Sequence, residues 1–437
     1  MNDLVIKNGK VLDPISGVSG AYTIVVKDGE IHSMQKGNGR TPAGANVIDA
    51  KGMYVTPGFV DIHTHLREPG YEYKEDINSG TKAAVAGGFT TICCMPNTKP
   101  VCDNQSVIEH IIDKARVIGR CRVLPIGAIS KDLKGTEMAD IGDLASAGAL
   151  AITDDGNSVM NSLLMRRAAE YAKTFGLSVM DHCEDVTLSG DGVMNEGAVS
   201  TELGLSGIPA EAEEIQVARD ILLAKLTCTH FHITHVSTAA SLELIRQAKK
   251  KGINVTCDVT PHHISLTEDA VRGYSTDTKM KPPLRSAADV KALIRGLNDG
   301  TVDAIASDHA PHAIIDKELG YDSAAFGVVG LETTLPVALK LVHEDKLSLK
   351  RAVELLTGGL NSLNPAGGLG GLKRGSIADI VVFDPNAKVT IDASKFYSKG
   401  KNTPFNGWKL KGKVLYTIFG GKVVFDHEKG VSGPSGW

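Results

Sequence analysis

The chain has 437 residues, 42% of them hydrophobic, and its 47 basic and 51 acidic side chains leave a net charge of −4. That length accommodates a large barrel or doubly wound domain with an accessory domain. The charges are interspersed, with no basic tail or stripe to follow a phosphate backbone, so nucleic acid is not an expected partner.

The N-terminus, MNDLVIKNGKVLD, lacks the basic-then-apolar pattern of a signal peptide. No stretch approaches the roughly 18 uninterrupted apolar residues of a membrane span. Seven cysteines are scattered without a CxxC, and most sit in strand-like runs (Cys93, Cys94, Cys183, Cys228, Cys257). They read as buried reduced thiols of a cytoplasmic protein, not as a thiolate zinc site.

Residues 1–57 read as short β-strands joined by tight turns: LVIKNGKVLD, YTIVVKDGEIHSM and NVIDAKGMYVTP. Asn8-Gly9 and Asp28-Gly29 are type I′ hairpin signals between apolar runs. From Gly58 to about residue 366 strand-like runs alternate with helix-like segments. Eight such runs begin at residues 58, 90, 122, 149, 177, 230, 254 and 304, which predicts an α/β fold of the (β/α)8 TIM barrel type.

In the first run, GFVDIHTHLREPG, strand alternation would put Asp61, His63, His65 and Arg67 on one face. Two imidazoles side by side at the end of a buried strand call for a partner, and a metal is the natural one. The segment SVIEHIIDKARVIG has helical apolar spacing, with Ser106 and Glu109 placed as a capping box. LELIRQAKKKG ends in cations before Gly252, as a helix C-terminus should.

The runs end in His, Asp, Asn or Arg, and eight of the 14 histidines (His63, His65, His182, His235, His262, His263, His309, His312) lie at those ends. In this fold active sites form on that face. Two long loops belong to it, Val186–Pro209 and Ala313–Gly327, and the second is the expected lid. After residue 366 strands return, with a hairpin turn at Gly420-Gly421. The segments 1–57 and 367–437 are expected to pair into one small β-sandwich domain beside the barrel of 58–366, the chain leaving it at Pro57 and re-entering near Arg374.

The strand ends supply His63, His65, Asp154 or Asp155, His182, His235 and Asp308. Nitrogen and carboxylate donors without thiolate suit zinc in a catalytic site. There are enough for two ions if one group bridges. Such a site would bring the pKa of a bridging water down to about 7 and polarise a substrate carbonyl. Asp308 could touch a metal and also take the proton of the attacking group, as a general base must.

The motifs DIHTHLREPG, MPNTKP, DDG, HCED, HVST, TPHH, KPPLR and SDHAPH, in this order, resemble the dihydroorotases of the amidohydrolase superfamily, in the branch typical of stand-alone bacterial enzymes. The resemblance covers nearly the whole chain, to the NTPF segment at 402–405. It implies zinc-dependent, reversible closure of N-carbamoyl-L-aspartate to L-dihydroorotate, a step of pyrimidine biosynthesis. It implies one or two Zn2+ ions per subunit, with two favoured: His63, His65 and Asp308 hold one, His182 and His235 the other, and Asp155 bridges. Arg67, Asn97 and His312 match the residues that hold the substrate's free carboxylate, and a guanidinium is the natural bidentate partner of such a group. A homodimer and an association with aspartate transcarbamoylase are compatible with the resemblance. One departure is Lys281 in KMKPPLR, where close relatives carry asparagine.

Hydantoinases, dihydropyrimidinases and allantoinases share the barrel, but they typically bridge their metals with a carbamylated lysine on the fourth strand. Here that strand reads ALAITDDG and has no lysine. A catalytically silent scaffold for a transcarbamoylase would be expected to lose metal ligands, and this chain keeps them.

Overall fold

The computed structural model describes residues 3–363 and 371–436. The N-terminal strands are β1 (Leu4–Asp13), β2 (Val18–Lys27), β3 (Glu30–Lys36), β4 (Asn46–Asp49) and β5 (Tyr54–Pro57). The barrel strands begin with β6 (Phe59–Thr64), β7 (Phe89–Cys94), β8 (Arg122–Pro125), β9 (Ala151–Ile152) and β10 (Ser178–Asp181). An excursion carries β11 (Met194–Asn195) and β12 (Gly207–Ile208), and the barrel resumes with β13 (Phe231–Ile233), β14 (Val255–Val259) and β15 (Ala304–Ile305). The last strands are β16 (Ile380–Thr390), β17 (Lys409–Phe419), β18 (Lys422–Asp426) and β19 (Gly430–Val431).

Each of the eight predicted runs contains one barrel strand. β6, β7 and β8 pair in parallel, as do β9, β10, β13, β14 and β15 in spatial sequence. Parallel bridges from Gly127 to Ile152 and from Thr64 to His309 close the circle. Val60, Ile62, Cys93, Ile126, Met180 and Ala304 pack with Leu360 and Leu363 in one core, and the surrounding helices cover the strands with a larger one. The helix Gln105–Ile118 buries Val107, Ile108, Ile111 and Ala115. Each large aliphatic side chain buried this way contributes roughly 1.5–3 kcal/mol.

Strands from both ends of the chain form one nine-stranded sheet, because β16 pairs with β5 along Ile380–Phe383 and Tyr54–Pro57. Leu4, Ile6, Ile24, Val26 and Ile31 share a core there with Ile380, Val382 and Ile418. The chain passes from this sheet, where β5 ends at Pro57, into β6 at Phe59. The expected boundary at 366/367 lies outside the described residues.

Four sequence expectations need correction. Asn8-Gly9 is not a turn; it is a bulge inside β1, where the register with β2 shifts between Ile6 and Gly9. Asn8 takes φ 63°, and a side chain at Gly9 would lie 2.5 Å from Val55 Cγ2. The bulge sits where β1 exchanges β4 for β5 as its parallel neighbour. Residues that tolerate positive φ serve turns and bulges alike, which is why the motif misleads. Asp28-Gly29 does turn β2 into β3, with φ 49° and 85°.

The cap of the helix Gln105–Ile118 is Asn104, whose side chain accepts from Val107 N; Ser106 lies within the first turn. Cys228 is exposed at the left-handed end of the helix Glu211–Thr227, unlike the other six cysteines, which are buried. The shared parity of Arg67 with His63 and His65 also fails: β6 ends at Thr64 and Arg67 takes φ 60°. The backbone bend, not strand alternation, aims its side chain.

Among the described residues no helix is long and apolar enough to cross a membrane. The two long loops are structured. Val193, Met194 and Val199 of the first pack with Tyr321 and Phe326 of the second in a small core of their own.

Candidate active site

His63 is the penultimate residue of the wholly buried β6 and has 0% exposure. His65 follows the strand and donates its backbone N–H to His309 O at 2.8 Å, which joins β6 to the loop after β15. Asp155 sits just beyond β9. Its Oδ1 lies 3.3 Å from His63 Nε2, 3.5 Å from His235 Nε2 and 3.8 Å from His182 Nδ1, and its Oδ2 lies 3.5 Å from His65 Nε2. Asp308 Oδ1 is 3.2 Å from His65 Nε2 and 3.5 Å from His63 Nε2. His182 Nδ1 is 3.0 Å from His235 Nε2.

The alternatives at Asp154 and Asp155 separate cleanly. The Asp154 carboxylate accepts from the backbone of Ile129 and Ser130 and from Ser130 Oγ, so it braces a neighbouring loop. Asp155 faces the histidines.

These donors fit a divalent cation. His63 Nδ1 and Nε2, Asp155 Oδ1 and His235 Nδ1 are buried without hydrogen-bond partners. Buried polar atoms left this way are costly unless something else satisfies them. Two overlapping sets, His63 with Asp155 and His235, and His63 with His65 and Asp308, bring their ligand atoms within 4.8 Å of one another. The two sets share His63.

Electrostatics bind the cluster together. Burial opposes charge on His63, but Asp155 and Asp308 override it and raise its pKa to about 10. Burial likewise opposes the Asp308 carboxylate, and His65, His63 and His235 hold its pKa below the ordinary range. For Asp155 the same opposition is overcome by His63 and His235, so it stays ionised.

Groups around the ligands set their backbone and tautomers. Asp61, expected on the ligand face, instead accepts from His63 N and Ser307 N, tying β6 to the segment after β15 that carries Asp308. Asp258 accepts from His235 N at 2.9 Å, and His235 has φ 38° while Asp308 has φ 45°. Left-handed backbone at non-glycine residues is held only by such surroundings. Glu184 Oε2 lies 2.9 Å from His182 Nε2, which leaves Nδ1 for the cluster. The HCED motif carries that signal, a carboxylate two residues past the histidine.

Beside the cluster lies a cavity of about 260 Å3, lined by His65, Arg67, Asn97, Asp155, His182, His235, Asp308 and His312 and by Lys281, Phe326 and Gly327. A larger cleft of about 600 Å3 lies on the terminal sheet, near Val47 and Tyr416, and gathers no comparable set of groups. Arg67 Nε donates to Pro311 O at 3.2 Å, and its Nη2 comes 3.4 Å from His312 Nε2. His312 Nε2 donates to Phe326 O at 2.8 Å, so Nδ1 is left to accept from Lys74 Nζ at 3.3 Å. Asn97 Oδ1 lies 2.9 Å from His65 Nδ1. Lys281 Nζ pairs with Glu184 Oε1 at 2.9 Å and lies 5.3 Å from the centre of the Phe326 ring.

Every residue singled out as a ligand, base or carboxylate contact therefore converges on one cavity or its floor. Residues 52–241 match the model of the dihydro-orotase-like family. The dihydroorotase of Geobacter metallireducens is 52% identical over 427 residues, covering 97% of this chain and 99% of that protein. The chain belongs to the dihydroorotase family. The dihydroorotase of Anaeromyxobacter sp. strain K is 51% identical over 433 residues, with 98% of each chain covered.

Among solved structures the family's barrel and terminal sheet find their counterparts in cyclic amidohydrolases. The L-hydantoinase (dihydropyrimidinase) of Arthrobacter aurescens superposes with a TM-score of 0.88 at 26% identity, covering 100% of this chain and 99% of that one. The dihydropyrimidinase of Brevibacillus agri, at 24% identity and a TM-score of 0.85, shares the fold. Family membership together with the His/Asp clusters indicates a metal site and a small-molecule substrate.

Proposed function

We propose that this chain is a zinc-dependent dihydroorotase that interconverts N-carbamoyl-L-aspartate and L-dihydroorotate in pyrimidine biosynthesis. The observation that carries the reading is a ligand cluster centred on Asp155 that shares its cavity with Arg67. In this reading the barrel of 58–366 is the catalytic unit, and the segments 1–57 and 367–437 form the accessory sandwich.

His63, His65 and Asp308 would hold one ion and His182 and His235 a second, and the Asp155 carboxylate comes within 3.3–3.8 Å of histidines of both sets. Bound zinc supplies Lewis-acid polarisation of the scissile carbonyl and acidifies water. The chain's own groups do the rest. Arg67, Asn97 and His312 hold the carboxylate that is unchanged by the reaction, and so fix the ring's position against Asp308. In ring opening Asp308 takes the proton of the attacking water and passes it to the departing ring nitrogen. In closure the same carboxylate takes a proton from the ureido nitrogen and returns it to the departing water.

Seven free cysteines, six of them buried, suit a reducing compartment, and on that ground we assign the enzyme to the cytoplasm. Light scattering of the chain, alone and mixed with an aspartate transcarbamoylase, tests the homodimer and the association compatible with the family resemblance.

The fold neighbours suggest a second reading, a hydantoinase-type ring opening. Assaying L-dihydroorotate beside dihydrouracil, which lacks the carboxylate, separates the two. Turnover of dihydroorotate in large excess supports the proposal; preference for dihydrouracil overturns it.

A further inference from the structure

Between β16 and β17 the chain leaves the terminal sheet and runs against the loop that follows β15. It is anchored where Glu332 accepts from Tyr397 N and Ser398 N, and where Glu75 accepts from Ser398 Oγ. At Gly400 a side chain would come 2.7 Å from Pro311 Cβ and 2.9 Å from its Cα, so the two segments approach too closely for any residue but glycine.

Two residues further on, Asn402 is 5% exposed and its carboxamide is fully engaged. Its Oδ1 accepts from His312 N at 3.1 Å, and its Nδ2 donates to Ala310 O at 3.2 Å and to Gly327 O at 3.0 Å. One side chain thereby pins both ends of the Ala310–Gly327 loop and the backbone of a residue that lines the cavity. Both Nδ2 hydrogens are used, so none remains for a substrate. Lys317 braces the same loop from within, donating to Ala325 O at 2.8 Å and Gly327 O at 3.1 Å, but it does not reach His312.

His312, Phe326 and Gly327 form one side of the cavity, and Arg67 is held by Pro311 O on the same loop. We propose that Asn402 is a positioning residue for substrate recognition, its carboxamide setting the loop that presents His312 and steadies Arg67 at the carboxylate end of the cavity. The proposal rests on the reading of Arg67 and His312 as carboxylate contacts. It assigns a role in the barrel's chemistry to a residue contributed by the C-terminal segment.

Asn402→Ala leaves the Ala310 carbonyl and the His312 N–H without partners and Gly327 O with Lys317 Nζ alone. Losing hydrogen bonds of this kind weakens binding by about tenfold. The zinc-loaded variant is expected to show a KM for dihydroorotate raised by about that factor, with kcat within about threefold of the parent and unchanged zinc per chain, the pattern of lost uniform binding. Hydrogen exchange is expected to speed up at the His312 amide. The Val329 amide, which donates to the Asn402 backbone carbonyl, should be unaffected.

An unchanged KM, a fall in kcat matching that in kcat/KM, or an unaltered His312 amide would overturn the proposal. Should Asn402→Ala not fold, Asn402→Asp carries the test: it keeps the acceptor for His312 N, so that amide stays protected while KM still rises, and a parental KM there is contradictory. If the parent itself opens no dihydroorotate, the functional reading fails, and the exchange measurement still decides whether Asn402 holds the loop.

Discussion

Asn97 presents its side-chain oxygen to His65 Nδ1 at 2.9 Å, and this contact fixes which ring nitrogen the metal cluster receives. With Nδ1 donating to Asn97, His65 Nε2 keeps its lone pair towards Asp308, 3.2 Å away. On the proposed reading, Asn97 would orient a ligand through Oδ1 and offer Nδ2 to the substrate.

Removing that orienting bond lowers metal affinity. Asn97→Ala is expected to weaken zinc binding by about 10–100-fold, whereas Asn97→Asp, which keeps the acceptor, stays near the parent. Competition with a chromophoric chelator measures both. Equal affinities in all three proteins would show that the bond does not orient the ligand.

Asp308→Asn removes a ligand and the proton acceptor together. Turnover is expected to fall by about 10^3-fold or more, with an unchanged circular dichroism spectrum. A variant within tenfold of the parent would place the base elsewhere.

Arg67→Ala tests the carboxylate contact. Loss of a charge-assisted, partly buried bond should weaken binding of N-carbamoyl-L-aspartate by about 10–100-fold, and binding of a carboxylate-free analogue far less. Equal losses would remove Arg67 from the substrate site.

His312 should stay neutral throughout the working range. Burial first, then the charges of Arg67 and Lys74, push its pKa down to about 2. The unfolded chain takes up this proton below about 6.5, and the folded one does not. The stability His312 contributes is therefore complete above about 6.5 and is lost as pH falls towards about 2. NMR of 15N-labelled histidine is expected to show one Nε2–H tautomer that does not titrate between pH 5 and 8. A midpoint in that range would contradict the geometry around Phe326 O.

The barrel was legible because a buried parallel strand is an apolar run, and eight runs ending in polar groups leave little choice of fold. The convergence of His63, His65, Asp155, His182, His235 and Asp308 was legible for the same reason, each standing at or just past the end of a barrel strand. Strand alternation places Arg67 on the face of His63 and His65, but a left-handed bend beyond the strand is what brings it to the cavity. Asn8-Gly9 and Ser106 misled because the same residue types serve turns, bulges and caps, and only the partner strand or the neighbouring Asn104 decides among them. Asp258 and Asn402 make contacts between segments distant in sequence, which no local pattern encodes, whereas Glu184 stands two residues past His182, where the HCED motif carries a local signal.

The central claim is that the cluster around Asp155 is a zinc centre that closes N-carbamoyl-L-aspartate. Its most direct test is to strip the protein of metal, add zinc back in measured equivalents, and follow formation of L-dihydroorotate beside that of an Asp155→Ala variant. The account predicts that activity returns with zinc and saturates near two equivalents per chain, while the variant stays inactive. Closure that is undiminished in the stripped protein, or unaffected by Asp155→Ala, would contradict it.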